Sequence, residues 1–339
     1  MNVSHKKGSS MLYEFAMTPN VFDASNLEKR PGWDTKLIEI LKGICDNGLL
    51  ANLNKGDLFH HVMEDILPGL PIGVQSDVKR LLNTLYDRHR IVRFPRSGHH
   101  PERPEEWLSE ILKIHNKSPF CGVFLTRDLL PPDGYPPELI DLTEALNSEP
   151  WLKRSRTVII RKKEEDYENI LRPLLRHAKT LSLIDPYLSC LPRFMKTVSL
   201  CVKLLGKRIQ DVMPGRIHIH AGNPEKIPGN NEPVPNRLDT WERKLLPIVS
   251  AYPHRVEVFL WNIRIGREDF HDRFVITDQC GISVPGGLDC KPTTSTTWSL
   301  LDEDVRRYWL GFYDPLTSPY ELLGRRSIGP AHCQKTRSV

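Results

Sequence analysis

The second half of the chain alternates short apolar segments with amphipathic ones, and this order is the strongest constraint on its fold. The strand-like segments begin at Thr157, Leu181, Arg216 and Val256. The helical segments between them cover residues 164–180, 192–205 and 237–249. Strands and helices that alternate in this way pack as a sheet covered by helices. Two further strand-like runs follow without a helix between them, so residues 151–325 are predicted to form an α/β domain with a mixed β-sheet flanked by helices.

The first half of the chain has a different pattern, in which helical periodicity prevails. Apolar residues at helical spacing predict helices over residues 34–45, 57–66, 76–86 and 105–116. Strand-like runs are confined to residues 89–94 and 120–125. We therefore expect a flexible N-terminus over residues 1–30 and a mostly helical domain over residues 31–150. Two interpretations of that domain stay open: a winged-helix-like module, or an adaptor that binds another protein.

Composition limits the class of protein without identifying it. A chain of 339 residues is expected to hold about two domains. No stretch of the sequence approaches the ~20 apolar residues of a membrane span, and the first residues lack the apolar core of a signal peptide. The seven cysteines form no C-x-x-C pair, which favours reduced thiols. We expect a cytoplasmic protein without a membrane span.

Charge is unevenly distributed along the chain. Lys and Arg exceed Asp and Glu by nine in residues 151–339, whereas residues 1–150 carry an excess of four acidic side chains. A basic domain attracts polyanions. The second domain is therefore expected to bind nucleic acid or an anionic lipid surface, whereas the acidic first half argues against a winged helix that grips DNA.

The run from Phe270 to Asp278 places a histidine, an arginine and an aspartate in one strand-like segment. Side chains two apart in a strand share a face, so His271 and Arg273 are predicted to point the same way. Such a pair suits attack on a phosphodiester: His271 as nucleophile at phosphorus, Arg273 as stabiliser of the developing charge, and Asp278 as the group that fixes a histidine tautomer or balances charge. The alternative is a strand that carries a His and an Arg at its exposed edge by chance.

Several other residues could support this site. Asp185 ends a predicted strand, where it would orient His271 or Arg273, or else cap a helix. His220, with Asn223 close behind it, ends another strand. Gly286 and Gly287 form a turn that leads to Asp289, a further site candidate or a turn-capping residue. The pairs His60–His61 and His99–His100 lack the spacing of metal ligands, so no metal and no cofactor is predicted.

Residues of about 155–325 resemble the phospholipase D-like domain found behind MIT domains in eukaryotic proteins and also in bacterial proteins. The segments that carry the resemblance are residues 183–188, 270–273 with Asp278, 286–289, and a predicted late strand at 308–314. The resemblance implies a phospholipase D-like fold and a metal-independent phosphodiesterase, a nuclease on DNA or RNA in an antiphage or mobile-element system. Residues 1–150 do not resemble the MIT helical hairpin.

The chain departs from the superfamily pattern in two respects. Catalytic members bring two His-x-Lys-x4-Asp motifs together, but this sequence has one, with Arg273 in place of the lysine. The resemblance therefore implies either a homodimer that pairs two His271 side chains or help from His220. The rival hypothesis is a non-catalytic module that binds a phosphate, a lipid headgroup or a nucleic-acid backbone, while the N-terminal domain recruits a protein partner. The basic tail, residues 326–339, is predicted to be disordered.

Overall fold

The computed structural model divides the chain into two compact units, with the boundary in the sequence between Arg156 and Thr157. The structure describes residues 10–95, 101–132, 135–206, 215–222, 237–262 and 272–329, together with the backbone of residues 264–265 and 268–269. Residues 10–156 are called the N-terminal unit below, and the described residues from 157 onward the C-terminal unit.

The N-terminal unit is built on a parallel sheet of five strands in the order β3-β2-β1-β4-β5. The strands are β1 (Tyr13–Met17), β2 (Gly48–Asn52), β3 (Ile91–Arg93), β4 (Gly122–Leu125) and β5 (Leu139–Asp141). The α-helices are α1 (Ser25–Lys29), α2 (Trp33–Asn47), α3 (Asp57–His61), α4 (Ile72–Asp87), α5 (Pro104–Lys117) and α6 (Glu149–Leu152). All four strand pairings are parallel, so this unit is an α/β layer structure.

Two predictions for this half are wrong. A winged helix needs an antiparallel hairpin, whereas β3 pairs in parallel with β2. The stretch predicted as a flexible N-terminus contains the central strand β1, in which Phe15 and Ala16 are fully buried. The helices are close to their predicted bounds, and β3 and β4 lie within the predicted strand-like runs, but β1, β2 and β5 were missed. Strands of a parallel sheet are buried on both faces and lack the alternation that marks a half-exposed strand.

The C-terminal unit is built on a mixed sheet of eight strands in the order β15-β9-β8-β7-β12-β13-β14-β6. The strands are β6 (Thr157–Arg161), β7 (Thr180–Asp185), β8 (Arg216–Gly222), β9 (Arg255–Trp261), β12 (Phe274–Thr277), β13 (Gly281–Ser283), β14 (Ser295–Leu300) and β15 (Leu322–Ile328), and a two-stranded ladder joins β10 (Arg264–Ile265) to β11 (Glu268–Asp269). The α-helices are α7 (Glu164–Leu175), α8 (Pro192–Gly206), α9 (Leu238–Val249) and α10 (Glu303–Phe312). The predicted α/β fold with a mixed sheet flanked by helices is confirmed.

Both faces of this sheet are buried around strands β7 and β8. Strands β7, β8 and β9 run parallel, and β12 runs antiparallel beside β7. On one face, α10 and the residues after it cover an apolar cluster: Ile184, Phe259, Trp261, Phe274, Ile276 and Tyr313. This side is called the α10 face below. The opposite face is fully buried too, through Leu181, Leu183, Ile217 and Ile219.

Three sequence predictions for this unit are wrong, and strands β14 and β15 were not predicted. The late strand predicted for residues 308–314 is mostly helix α10, because Arg306, Trp309, Leu310 and Tyr313 recur at helical spacing against the sheet. The tail predicted as disordered from residue 326 begins inside strand β15, while residues 330–339 lie outside the described part of the chain. The strand predicted through residues 270–278 begins only at Phe274. Within the described residues, no helix is long and apolar enough to cross a membrane.

Candidate functional site

Arg273 lies directly before strand β12, beside the end of β7, because Phe274 pairs with Ile184. Its Nη1 donates a hydrogen bond to the carbonyl oxygen of Pro285. Its guanidinium lies 5.0 Å from the centre of the Tyr187 ring. The side chain is 24% exposed. Arg273 is therefore a partly exposed cation that contacts from two different loops hold in place.

Asp185 ends strand β7 and is 1% exposed. Its Oδ1 accepts a hydrogen bond from the backbone N–H of Tyr187 at 2.9 Å, and its Oδ2 accepts one from Leu288 at 3.0 Å. Oδ1 also lies 3.6 Å from Nε of Arg273. Burial raises the pKa of Asp185, while the two backbone hydrogen bonds and the charge of Arg273 oppose that rise. Asp185 thus lies next to Arg273, and it does not cap a helix, since α8 begins only at Pro192.

The glycine turn, residues 285–288, approaches both side chains closely. Gly287 has a φ of +78°, and a Cβ there would lie 3.1 Å from Oδ2 of Asp185. A Cβ on Gly286 would lie 2.5 Å from Oγ1 of Thr296. A larger residue at either position would displace the turn, so the glycine pair allows the backbone to pass beside Asp185. We call Arg273, Asp185, Tyr187 and Gly287 the Arg273 cluster.

Asp289 pairs with a buried lysine that the sequence analysis did not single out. Nζ of Lys162 donates to the Asp289 carboxylate and, at 2.7 Å, to the carbonyl oxygen of Gly286. The Lys162 side chain is 7% exposed and that of Asp289 is 17% exposed. The carboxylate of Asp289 is therefore engaged in holding the glycine turn to the end of β6. Lys162 stands in a run of charged residues, which by itself is typical of a solvated surface.

Asp278 lies at the other end of strand β12 from Arg273. Its Oδ1 accepts hydrogen bonds from the backbone N–H groups of Lys179 and Thr180, at 2.7 and 3.2 Å. These residues begin strand β7, whereas Asp185 ends it. At about 3.4 Å per residue, the five steps from Arg273 to Asp278 amount to roughly 17 Å along an extended strand. The structure therefore does not bring Asp278 to Arg273.

His220 lies on the α10 face of the sheet. It pairs in register with Ile184, and successive side chains of a strand alternate between faces, so the next residue of β7, Asp185, points to the opposite side. The imidazole is 4% exposed and stacks on Phe259 with ring centres 4.9 Å apart. Burial lowers the pKa of His220 to about 3. The structure thus separates this neutral histidine from the Arg273 cluster.

His271 and Asn223 lie outside the described residues, so the predicted nucleophile has no described geometry. In the described part of the chain, no three His, Cys, Asp or Glu side chains gather in an arrangement that could hold a metal ion. The arrangement around Arg273 offers guanidinium donors to an anion at the end of β7. Tyr187 was not predicted as a site residue, although it belongs to the segment 183–188 that carries the family resemblance.

No family model matches the sequence, and no curated protein matches it. Among solved structures, a match covers 85% of this chain and 93% of TrmBL2, an archaeal chromatin protein whose structure is described as showing a novel mode of DNA binding. The two chains are 12% identical and superpose with a TM-score of 0.26. A similarity at that level carries no argument about the fold or the function of this protein.

Proposed function

We propose that the C-terminal unit is a metal-independent phosphodiesterase that acts on nucleic acid, with His271 as nucleophile and Arg273 as the group that stabilises charge on the phosphoryl oxygens. The observation that carries the proposal is the placement of Arg273. It is a partly exposed guanidinium beside the carboxyl end of the parallel strand β7, and its neighbours Asp185 and Tyr187 orient it. The carboxyl ends of strands in α/β sheets are where such folds place ligands.

Arg273 keeps hydrogen-bonding capacity for a ligand. A guanidinium has five N–H donors, and Nη1 bonds to Pro285. Nε forms no hydrogen bond within the described structure, since Asp185 lies 3.6 Å away, and this nitrogen is buried, so the donors within reach of a ligand are those of the two Nη atoms. The remaining donors suit two oxygens of a phosphate group, which guanidinium binds in a bidentate fashion.

The chemistry would proceed in two displacements at phosphorus. A nitrogen of His271 forms a bond to phosphorus while the bond to the leaving oxygen breaks, and an acid gives that oxygen a proton. Water then attacks phosphorus, breaks the P–N bond and releases a phosphate monoester. His220 is unsuited to be the acid, because it lies on the α10 face and its pKa is about 3. We therefore propose that His271 of a second copy supplies the proton in a symmetric dimer.

The substrate class follows from charge. The excess of nine basic side chains in residues 151–339 favours a polyanion over a small neutral substrate. Nucleic acid presents a continuous row of phosphodiesters, and neutralising them makes binding depend on salt concentration.

A second candidate function is phosphate binding without turnover. It is favoured by the position of His220, because strand β8 places this histidine on the α10 face and not beside Arg273. In this case the Arg273 cluster holds a nucleic-acid or lipid-headgroup phosphate and breaks no bond.

One experiment separates the two functions. Labelled single- and double-stranded DNA and RNA are incubated with the full chain in EDTA, alongside His271→Ala, Arg273→Ala and the control Arg161→Ala, which removes an exposed arginine from edge strand β6. Cleavage by the wild type and the control, with loss in both site variants, is the expected result. If folded wild type cleaves nothing but binds in an Arg273-dependent manner, the non-catalytic function replaces the proposal. Cleavage that survives in His271→Ala overturns the mechanism.

A further inference from the structure

A cleft with a volume of about 420 Å³ opens on the α10 face, between strands β7–β9 and the residues at the end of α10. Six of the residues that line it are Ser182, His218, His220, Phe259, Tyr313 and Arg325. We call it the α10 cleft. Its volume falls in the range of small-molecule sites, ~300–1,000 Å³. Asp185 alternates with the lining residues Ser182 and Ile184 along β7, so it belongs to the opposite face of the sheet, although it lies within electrostatic range of Tyr313.

The strand registers arrange the side chains of this face in three rows, with a spacing of about 6.8 Å for each two-residue step. The row nearest the strand ends is apolar and aromatic: Ile184, His220 and Phe259. The next row is polar: Ser182, His218 and Glu257. The third row holds Thr180 and two cations, Arg216 and Arg255. The surface therefore changes from aromatic to polar to positively charged along one direction.

The protonation of His220 makes it a fixed donor toward the cleft. Nε1 of Trp261 lies 3.2 Å from Nδ1 of His220, and an indole nitrogen can only donate. Nδ1 must therefore be the acceptor, so the neutral imidazole carries its proton on Nε2. His220 is 4% exposed and lines the cleft, yet Nε2 has no acceptor among the described residues. Nε2 therefore offers a fixed N–H donor to an acceptor on a ligand in the cleft.

The second row adds further polar groups that are open to a ligand. Ser182 is 6% exposed, and its hydroxyl makes no hydrogen bond within the described structure. Nε2 of His218 lies 4.0 Å from Oε2 of Glu257. Burial lowers the pKa of His218, Glu257 opposes this, and the guanidinium groups of Arg325, Arg216 and Arg255 reinforce it. At neutral pH this row therefore offers a hydroxyl and an uncharged imidazole.

The rim of the cleft is positively charged. Glu257 lies 2.8 Å from Arg255 and 2.7 Å from Arg325, so one carboxylate balances two arginines. Arg216 forms no ion pair with a described residue and is exposed. Arg325 lines the cleft, and Arg216 and Arg255 lie beside it in the third row. On the opposite side of the cleft, Asp314 adds a carboxylate that accepts a hydrogen bond from the backbone of Leu316.

We propose that the α10 cleft binds a nucleoside monophosphate, with the heteroaromatic base against the aromatic row and the phosphate at the arginines of the rim. A nucleobase has a flat apolar ring, and its ring nitrogens and carbonyl oxygens can accept a hydrogen bond from Nε2–H of His220. Ser182 and His218 face the middle of the ligand, where a nucleotide carries sugar hydroxyls. The phosphate meets Arg216, the rim cation without an ion-pair partner in the described structure.

The test is isothermal titration of the full chain with AMP, GMP, CMP and UMP, with the parent nucleosides and with inorganic phosphate. Monophosphates have no phosphodiester bond, so the proposed cleavage does not interfere, and failure of that function leaves this test intact. We expect at least one monophosphate to bind more tightly than both its nucleoside and inorganic phosphate. Binding by inorganic phosphate alone, or by no monophosphate at millimolar concentration, overturns the proposal.

Substitutions in the cleft test whether the monophosphate binds there. Arg216→Ala should weaken the monophosphate about tenfold, the size expected for one charge-assisted hydrogen bond, and leave the nucleoside unchanged. Ser182→Ala should weaken both. Arg161→Ala, which removes one exposed arginine from edge strand β6, should bind like the wild type. Melting temperatures close to that of the wild type establish that each variant is folded. If Arg273→Ala abolishes binding while Arg216→Ala does not, the monophosphate binds at the Arg273 cluster, and the α10 cleft is not its site.

Discussion

The backbone N–H of Leu288 donates a 3.0 Å hydrogen bond to Oδ2 of Asp185, a residue that precedes it by 103 positions. This bond joins the glycine turn to the end of strand β7, and Arg273 lies between the two. The orientation of Arg273 therefore depends on the shape of the turn as well as on the sheet, and changes in the turn should affect both stability and phosphate binding.

Gly287→Ala should destabilise the C-terminal unit. Its φ of +78° is unfavourable for alanine, and the new Cβ would lie 3.1 Å from Oδ2 of Asp185. We expect the free energy of unfolding to fall by about 1–3 kcal/mol, measured by urea denaturation. The matched control is Gly311→Ala in helix α10, where a Cβ meets nothing within 4 Å. That change should raise stability by about 0.5–1 kcal/mol, and equal effects at the two positions would contradict the explanation.

The buried pair of Lys162 and Asp289 should show strong energetic coupling. Lys162→Met leaves the Asp289 carboxylate without its cation, so unfolding should become easier by about 3–5 kcal/mol. Asp289→Asn leaves the ammonium of Lys162 with the carbonyl of Gly286 as its remaining described acceptor. The double variant removes both charges and should lose less stability than the two single variants combined, by about 1–3 kcal/mol. Additive losses in a double-mutant cycle would show that the two side chains act independently.

His220 should make stability depend on pH. Its pKa in the folded protein is about 3, below its ordinary value of 6.5, so protonation favours the unfolded chain. The contribution of His220 to the free energy of unfolding is therefore fully present above pH 6.5. It is lost as the pH falls toward 3, and the free energy changes by about 1.4 kcal/mol per pH unit.

The comparison for this prediction is His220→Gln, whose amide oxygen can accept the hydrogen bond from Trp261 and which does not titrate. Denaturation series of both proteins between pH 6.5 and pH 4 give the slope that belongs to His220, since the carboxylates titrate in both. A wild-type slope no steeper than that of the variant would show that His220 is not buried as a neutral ring.

Asp278 and Arg273 should respond differently to substitution, although both belong to one sequence motif. Asp278→Ala removes the acceptor for the N–H groups of Lys179 and Thr180, so stability should fall by about 1–3 kcal/mol. The folded fraction should keep nucleic-acid binding, measured by fluorescence anisotropy. Arg273→Ala should lose binding while its melting temperature changes little. Loss of binding in folded Asp278→Ala protein would place Asp278 in the site after all.

The local sequence pattern was sufficient to predict most helices and several strands of the C-terminal unit. Helices α7, α8 and α9 and strands β6–β9 lie close to their predicted bounds, because amphipathic helices between short apolar strands leave a clear periodicity. The same periodicity did not reveal strands β1 and β2 of the N-terminal unit. Strand β1, Tyr13–Met17, is buried except at its first residue, and strand β2, Gly48–Asn52, is buried throughout. A segment with no exposed face has no alternation to detect.

The candidate site was only partly predictable from the sequence, because its contacts join residues that are far apart along the chain. Arg273 and Asp185 were both singled out, and the structure places them 3.6 Å apart. Asp278 stood in the same motif, and the structure separates it from Arg273 by the length of β12. Lys162 left no signal, because a lysine in a run of charged residues looks solvated until its carboxylate partner, 127 positions away, is known.

The sequence by itself determined the local features of this protein: amphipathic helices, apolar strands, the glycine turn and the basic character of the second half. These depend on residues a few positions apart, whose preferences act within one segment. Only the tertiary structure decided which residues meet. Strand β12 runs antiparallel beside β7, which takes Arg273 to Asp185, and the parallel register of β8 puts His220 on the other face. Register and face are set by packing between distant segments, since a shift of one residue would exchange the two faces of a strand.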